Sequence, residues 1–503
     1  MSTKSAEAQK YFDQGLAYAY GFNHDAAYRS FERASQIDPN CAMAYWGMAL
    51  VIGPNYNLPE VDRVEIKRAN SLVRQARRHS SGASPEDRAY IDALACRYSD
   101  DADAQLTQLQ QAYADAMAKV SRQYPNDLDA ATLSAEAHMN LRPWKLYTPD
   151  GKPEPGTEQI VVVLEEVLRG DPNHIGANHY YIHAVEASST PQRAMQSAKR
   201  LPQLAPEQGH LVHMPAHVYM RVGDYPSAIR ANQNAIAADD RFVTCCHPQK
   251  RGVYTVMYYN HNVHFLMGAA CMSGQSKLAI ESADKILRDI KPVAAEMPMI
   301  EPFGAMPYLA RVRFGMWNDI LKMPKPPQTM PTTTAAWHFA RAMAYTAKGD
   351  LPQARAEQAE FESRRAKLAA GPMGNNTITD VMRIGSELLA GKIAAASGDM
   401  PKAIACFRKA VATQDKLTYD EPPPWPWPIR ETLGAALLAT NDPVAAEQVF
   451  RDDLTRNPNN GRSLLGLSQS LRTQNRIAEA DAIKQQEQRA LQYADLEVQL
   501  TAF

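Results

Sequence analysis

This 503-residue chain contains two histidine pairs with the same spacing, and their side chains are candidates for metal chemistry. His179 and His183 are four residues apart, and so are His213 and His217. Side chains four residues apart project from the same face of a helix, so each pair predicts two imidazoles that point in one direction. Neutral imidazole is a ligand for zinc, copper, iron and nickel. The spacing therefore predicts a metal site shared by two neighbouring helices.

Further polar residues near these pairs extend the candidate site. His261 and His264 are three residues apart, which again places both on one helix face. Glu186 continues the face of His179 and His183. It is predicted as the catalytic residue, with three roles open: a carboxylate ligand to iron, an orienting group behind a ligand, or a general base on a zinc-bound water. Three further residues are weaker candidates for the site: His210, Glu136 and Arg221.

The helices that carry these residues follow a 34-residue pattern. His179 precedes His213 by 34 residues, and His183 precedes His217 by the same distance. Residues 8–41 contain small and aromatic residues at regular places, namely Gly15, Tyr18, Ala27, Phe31, Ala34 and Pro39. This pattern resembles the tetratricopeptide repeat family, whose unit is a pair of antiparallel helices. The resemblance implies an all-α, right-handed superhelix (an α-solenoid) with no strands.

The resemblance also implies where the candidate residues point. In this family, positions 2, 5, 9 and 12 of the first helix line a concave groove that binds ligands. The repeat register places eight residues at these positions: His210, His261, His179, His213, His264, His183, His217 and Glu186. We therefore expect the histidine pairs of three successive repeats to share the groove.

Irregular segments divide the predicted array into three parts. These are N-terminal repeats over 1–125, histidine-rich repeats with the metal site over 126–290, and C-terminal repeats over 291–503. Insertions rich in Pro, Asn or Gly interrupt the pattern at 53–60 and 142–156. A Pro- and Trp-rich loop at 419–428 is predicted to pack across the groove as a lid.

Composition excludes several other classes of protein. The 54 Lys and Arg residues balance 55 Asp and Glu residues without a basic block, so neither nucleic acid nor a membrane is an expected partner. The chain lacks a signal-like start and has no run of 18 apolar residues, which predicts a cytoplasmic protein. Six cysteines without a CxxC pair predict reduced thiols.

These features predict a metal-dependent enzyme inside a helical-repeat array. Few carboxylates on the predicted face argue against magnesium and calcium. Six histidines in three pairs are similar, in ligand set only, to the dicopper sites of the tyrosinase and haemocyanin class. An oxygen-dependent oxidoreductase with copper or iron, acting on a small molecule or peptide, is therefore the favoured function. A zinc-dependent hydrolase is one alternative, and a non-catalytic scaffold that binds peptides or a protein partner in the groove is another.

Overall fold

The structure is a computed structural model that describes residues 1–101, 103–246 and 254–500, with the side chains of 245 and 246 left out. The sequence pattern also predicts an irregular connection over 239–255, which lies partly outside these residues. The chain forms two compact units, Met1–Val218 and Tyr219–Phe503. Within the described ranges, no helix is long and apolar enough to cross a membrane.

The first unit is entirely helical apart from its connections. Its helices are α1 (Ala6–Tyr20), α2 (His24–Ile37), α3 (Ala42–Ile52), α4 (Arg63–Arg78), α5 (Pro85–Ala95), α6 (Leu106–Gln123), α7 (Leu128–Met139), α8 (Thr157–Gly170), α9 (Ile175–Val185), α10 (Met195–Leu204), α11 (Gly209–His213) and α12 (Pro215–Val222). Residues of α12 up to Val218 belong to this unit. Short 3₁₀ turns occur at Ser80–Gly82 and Pro191–Ala194.

The second unit continues the helical pattern and contains a small hairpin. Its elements are α13 (Tyr225–Cys246), a π turn (Tyr254–Tyr258), α14 (Tyr259–Ser273), α15 (Ser276–Ile290), a 3₁₀ segment (Pro298–Ala305), α16 (Met306–Arg313), α17 (Trp317–Lys322), α18 (Pro331–Ala347), α19 (Leu351–Arg365), β1 (Pro372–Met373), β2 (Asn376–Thr377), α20 (Ile378–Ala396), α21 (Met400–Gln414), α22 (Arg430–Ala439), α23 (Pro443–Arg456), α24 (Gly461–Thr473) and α25 (Ile477–Ala490). The antiparallel β1–β2 pair corrects the expectation of no strands. It is a short hairpin, because each strand has only two residues.

Close contacts between glycine and phenylalanine hold the helix pairs together. A Cβ added to Gly15 would lie 2.7 Å from the Phe31 ring, and one added to Gly47 would lie 2.5 Å from it. The same contact recurs in the second unit, where Phe450 fills the space left by Gly434 and Gly466. Only glycine lets the backbones approach this closely. The small and aromatic residues of the 34-residue pattern therefore pack against each other, as the sequence predicts.

Most helices pack against their neighbours in sequence, but the first unit contains a longer-range contact. Helix α1, at the N-terminus, also contacts α9, which carries His179 and His183. Gln208 holds the end of α1, because its side-chain amide nitrogen Nε2 donates to the Ala17 carbonyl at 3.2 Å. Gly21 allows this approach, because a Cβ there would lie 2.0 Å from Gln208 Oε1. The N-terminal repeat thus covers the histidine-rich helices of its own unit.

Candidate metal centre

The start of α9 is fixed by polar contacts that set the position of its histidines. His174 Nδ1 accepts the Ala177 N–H at 3.1 Å and caps the helix, while its Nε2–H donates to Asp129 at 3.2 Å. Asp129 also accepts the Tyr20 hydroxyl. Gly176 admits the Tyr20 ring, because a Cβ there would lie 2.4 Å from it. The C-terminal end of α1 is therefore held against the first turn of α9.

His179 and His183 lie on one face of α9, as their spacing predicts. His179 Nδ1 lies 2.5 Å from the Tyr20 carbonyl oxygen. A carbonyl oxygen can only accept a hydrogen bond, so the ring nitrogen must be the donor. The proton of His179 is therefore on Nδ1, and Nε2 carries the lone pair. The two rings are adjacent, with centroids 4.9 Å apart.

The second histidine pair spans a break between two helices rather than one continuous helix. Helix α11 ends at His213, and α12 begins at Pro215, which has no N–H to continue the helical hydrogen bonds. This corrects the expectation that His213 and His217 share one helix. The backbone N–H of His217 still bonds the Met214 carbonyl at 3.2 Å. As a result, the His213 and His217 Nε2 atoms lie 2.9 Å apart.

Glu186 joins the two pairs through both of its carboxylate oxygens. Oε1 accepts from His183 Nδ1 at 2.6 Å, and Oε2 accepts from His217 Nδ1 at 2.5 Å. Burial alone raises the pKa of the Glu186 carboxyl, but the two imidazoles outweigh it and hold that pKa far below its usual range. The ionised carboxylate fixes both Nδ1 protons, so the Nε2 atoms of His183 and His217 carry lone pairs.

Three imidazoles converge on one point of the first unit. One ring nitrogen each of His179, His183 and His210 lies within 4.8 Å of the other two. The Nε2 atoms of His210 and His179 are 3.1 Å apart. Within the described part of the chain, His183 Nε2 is buried without a hydrogen-bond partner. Two nitrogens bonded to one ion at about 2.0–2.1 Å lie about 2.9–3.4 Å apart, so the His179–His210 separation fits two ligands of one ion as well as a hydrogen bond.

All five histidine side chains of the first unit's cluster are buried. His179, His213 and His217 are 0% exposed, and His183 and His210 are 2% and 1% exposed. Burial lowers the pKa of His183 below its ordinary value and that of His179 far below it, so both are neutral at pH 7. The N-terminal repeat and two connections, which contribute Phe22, Tyr56 and Trp144, enclose these histidines.

Three aromatic residues that the sequence analysis did not select form the wall of this site. The Phe22 ring lies 4.6 Å from His179 and stacks on His210 at 5.7 Å. Tyr56 and Trp144 lie 5.4 Å and 5.3 Å from His183. Tyr56 belongs to the predicted 53–60 interruption and Trp144 to the predicted 142–156 insertion. The sequence signal that could have identified Tyr56 and Trp144 is that both lie in interruptions of the repeat pattern.

The remaining predicted ligands lie in the second unit and are described within it. His261 and His264 are on α14, as predicted. His261 is partly exposed and its ring lies 5.6 Å from Phe265. His264 is buried beside Phe303, and burial lowers its pKa to about 4. Arg221 lies over the Tyr419 ring at 5.6 Å.

Glu136 belongs to the first unit, and its structural surroundings are different. Its Oε1 accepts from Asn140 Nδ2 at 2.5 Å. Burial raises the pKa of its carboxyl. The groups of converging ligand atoms found among the described residues do not include it. Glu136 is therefore a buried carboxyl that is hydrogen-bonded to a residue one helical turn further along the chain.

The Pro- and Trp-rich segment at 419–428 packs into the second unit. Trp425 and Trp427 are 1% and 2% exposed and contact each other at 5.0 Å. Trp425 also contacts Phe339 at 5.6 Å, and Asp420 accepts the Asn375 N–H at 2.7 Å from the hairpin turn. Two buried indoles anchor this segment to the repeats around it.

Comparisons with known proteins find distant likenesses among solved structures. No protein-family model matches the sequence, and no curated protein matches it. A structure of the human IFIT1 dimer with PPP-AAAA aligns over 98% of this chain and 96% of its own, at 14% identity and a TM-score of 0.35. The crystal structure of yeast Tom70 aligns over 96% of both chains, at 12% identity and a TM-score of 0.35. Alignments of this quality carry no argument about a ligand or activity.

The class of protein follows from the helices themselves. Successive antiparallel helix pairs, the recurring glycine and phenylalanine contacts and the 34-residue spacing define a helical-repeat protein of the tetratricopeptide type. The predicted all-α fold class and the family resemblance are confirmed. Its first unit differs from a plain scaffold in having a buried cluster of five histidines and one carboxylate.

Proposed function

We propose that the first unit is a transition-metal protein whose ion is bound by His179, His183 and His210. The observation that carries this proposal is the convergence of their ring nitrogens around the buried, unpartnered Nε2 of His183. A buried polar atom without a partner is unfavourable by about 1–3 kcal/mol, and a metal ion removes this penalty. His213 and His217 form a second pair beside it and share Glu186.

The donor set favours copper, iron or zinc. All the converging atoms are imidazole nitrogens, which suit these metals, whereas magnesium and calcium prefer oxygen. Carboxylates that bond the far nitrogen of a ligating histidine recur in metal sites, where they fix the ring orientation and raise its basicity. Glu186 has this position relative to His183 and His217. We therefore assign it a positioning role rather than that of a ligand or a base.

Two features favour oxygen-dependent oxidation over hydrolysis. Both oxygens of Glu186 are engaged by imidazole N–H groups, so this carboxylate is poorly placed to activate a zinc-bound water. Phe22 and Tyr56 are buried against the histidines and exclude bulk water, while a small molecule such as dioxygen needs little space. The proposed activity is a copper- or iron-dependent oxidation of a small molecule, with the ion supplying the redox chemistry.

Elemental analysis of tag-free protein tests the metal proposal. Wild type is compared with the double variant His179→Ala/His213→Ala and with His338→Ala. His338 is a suitable control because it is also buried and bonded to a carboxylate, Glu357, at 2.6 Å in the second unit. We expect stoichiometric copper or iron in wild type and in the control, and its loss in the double variant. Dioxygen uptake by the loaded protein with ascorbate as electron donor then tests the redox activity.

Other outcomes select the alternatives. Stoichiometric zinc without oxygen uptake would refute the oxidoreductase and favour the hydrolase. Wild type that binds no metal even after reconstitution would refute the metal centre. The chain would then be a scaffold for peptide or protein partners, as its repeat architecture allows.

A further inference from the structure

The aromatic wall of the candidate centre contains one residue that lies next to a histidine and is partly exposed. Phe22, Tyr56 and Trp144 are the non-histidine rings found next to His183 in the described part of the chain. Phe22 and Tyr56 are 3% and 2% exposed, whereas Trp144 is partly exposed. Trp144 is therefore the most exposed of the three residues whose rings lie next to His183.

The backbone around Trp144 is held firmly in an unusual conformation. Its φ angle is +61°, in the left-handed region that bulky residues rarely adopt. The turn that contains it is closed by the Lys145 N–H, which donates to the Arg142 carbonyl at 3.1 Å. Residues on both sides of the insertion are tied down: Thr157 Oγ1 donates to the Leu146 carbonyl at 2.8 Å. Strained backbone that the surroundings maintain is a feature of functional sites.

The indole itself lacks such an anchor. Within the described residues its Nε1–H makes no hydrogen bond to the protein, whereas Trp46 Nε1 donates to the Tyr90 carbonyl at 3.2 Å. A half-buried ring on a fixed backbone moves by rotation about its side-chain bonds, which takes far less time than loop opening. A change in the Trp144 rotamer would uncover His183 without moving a helix.

We propose that the Trp144 indole is the gate through which metal ions and small uncharged ligands reach the histidine centre. This inference rests on the proposed metal centre and adds the route and its controlling residue. A gate obstructs entering and leaving ions alike, so it changes both rates by the same factor and leaves the affinity unchanged. A residue that positions a ligand changes the affinity instead.

Zinc exchange kinetics distinguish these two roles. The proteins are wild type, Trp144→Ala, Trp144→Phe and Trp317→Ala. Trp317 is a matched control because it is also partly exposed and lies in the second unit. Association is measured by mixing apo-protein with Zn²⁺, and dissociation by transfer of Zn²⁺ to an excess of chromogenic chelator. For Trp144→Ala we expect both rates to rise about ten-fold, with a Kd within about two-fold of wild type.

The controls make the result decisive. Trp144→Phe should restore most of the barrier, and Trp317→Ala should behave as wild type. If the alanine variant does not fold, Trp144→Gly replaces it, because glycine adopts the left-handed conformation without strain. Unchanged exchange rates in a variant that binds stoichiometric zinc would overturn the gate alone. A changed Kd with an unchanged association rate would assign a positioning role instead, whereas wild type that binds neither zinc, copper nor iron would overturn the metal centre and the gate together.

Discussion

Replacing Glu186 by glutamine tests the central feature of the candidate centre with a minimal change in shape. The carboxylate accepts Nδ1–H bonds from His183 and His217 at 2.6 Å and 2.5 Å. A glutamine side chain keeps one acceptor oxygen but turns its NH₂ group toward the other N–H donor. One imidazole must then move its proton to Nε2, which removes that lone pair from the ligand set. The change therefore acts on the tautomer of a proposed ligand.

The structure sets the expected magnitude of this change. Loss of a group that orients a ligating histidine lowers metal affinity about 10–100-fold. The apo-protein also loses one charge-assisted hydrogen bond at a fully buried site, which destabilises it by about 1–3 kcal/mol. We expect Glu186→Gln to show both effects, the first in competition titrations with a metal chelator and the second in urea unfolding of metal-free protein.

A matched control separates the local effect from general disturbance. Glu357 accepts from His338 Nδ1 and from Arg341 Nε, both at 2.6 Å, and is also largely buried. Glu357→Gln should destabilise the second unit without changing metal affinity. Metal affinity of Glu186→Gln within two-fold of wild type, at a well-folded site, would refute the positioning role. Equal loss of affinity in both variants would show that the effect is not specific to the centre.

Three further predictions concern packing and charge. Gly47→Ala should destabilise the chain by about 1–3 kcal/mol in urea unfolding, because the added Cβ would overlap the Phe31 ring. Arg313→Met should cost about 3–5 kcal/mol by the same measurement, because it leaves the buried Glu431 carboxylate without its ion-pair partner. Burial raises the pKa of Asp453 from 3.8 to about 6, so its native state holds a proton that the unfolded chain releases. The stabilisation from Asp453 is complete below pH 3.8 and is lost as the pH rises to 6. Across this window the free energy of unfolding of wild type, relative to that of Asp453→Asn, should fall by about 3 kcal/mol.

The repeat architecture could be predicted because its signals are local in sequence. Gly15 and Phe31 are 16 residues apart and belong to one helix pair, so their roles follow from spacing alone. His179 and His183 likewise share a face because four residues make about one helical turn. The break at Pro215 could also have been read from the sequence, since proline removes a backbone donor.

The enclosure of the site could not be predicted in this way. The carbonyl that orients His179 belongs to Tyr20, 159 residues earlier in the chain. No periodicity relates these two residues, because their contact arises where the N-terminal repeat folds back onto α9. A repeat pattern describes contacts between neighbouring repeats, and the contact of α1 with α9 lies outside it.

Burial and tautomer control together are the reason for proposing that this cluster is more than a polar patch in a helical core. An isolated neutral imidazole needs one donor and one acceptor to be satisfied. In this unit, the Tyr20 carbonyl and the Glu186 carboxylate take the Nδ1 protons of His179, His183 and His217. The Nε2 atoms of His179 and His217 lie at hydrogen-bond distance from those of His210 and His213, whereas His183 Nε2 has no such neighbour. Such an arrangement is unfavourable for a core that only has to be stable, because His183 Nε2 has no donor among the described residues. The proposed metal ion would use the lone pair of this nitrogen and remove the cost.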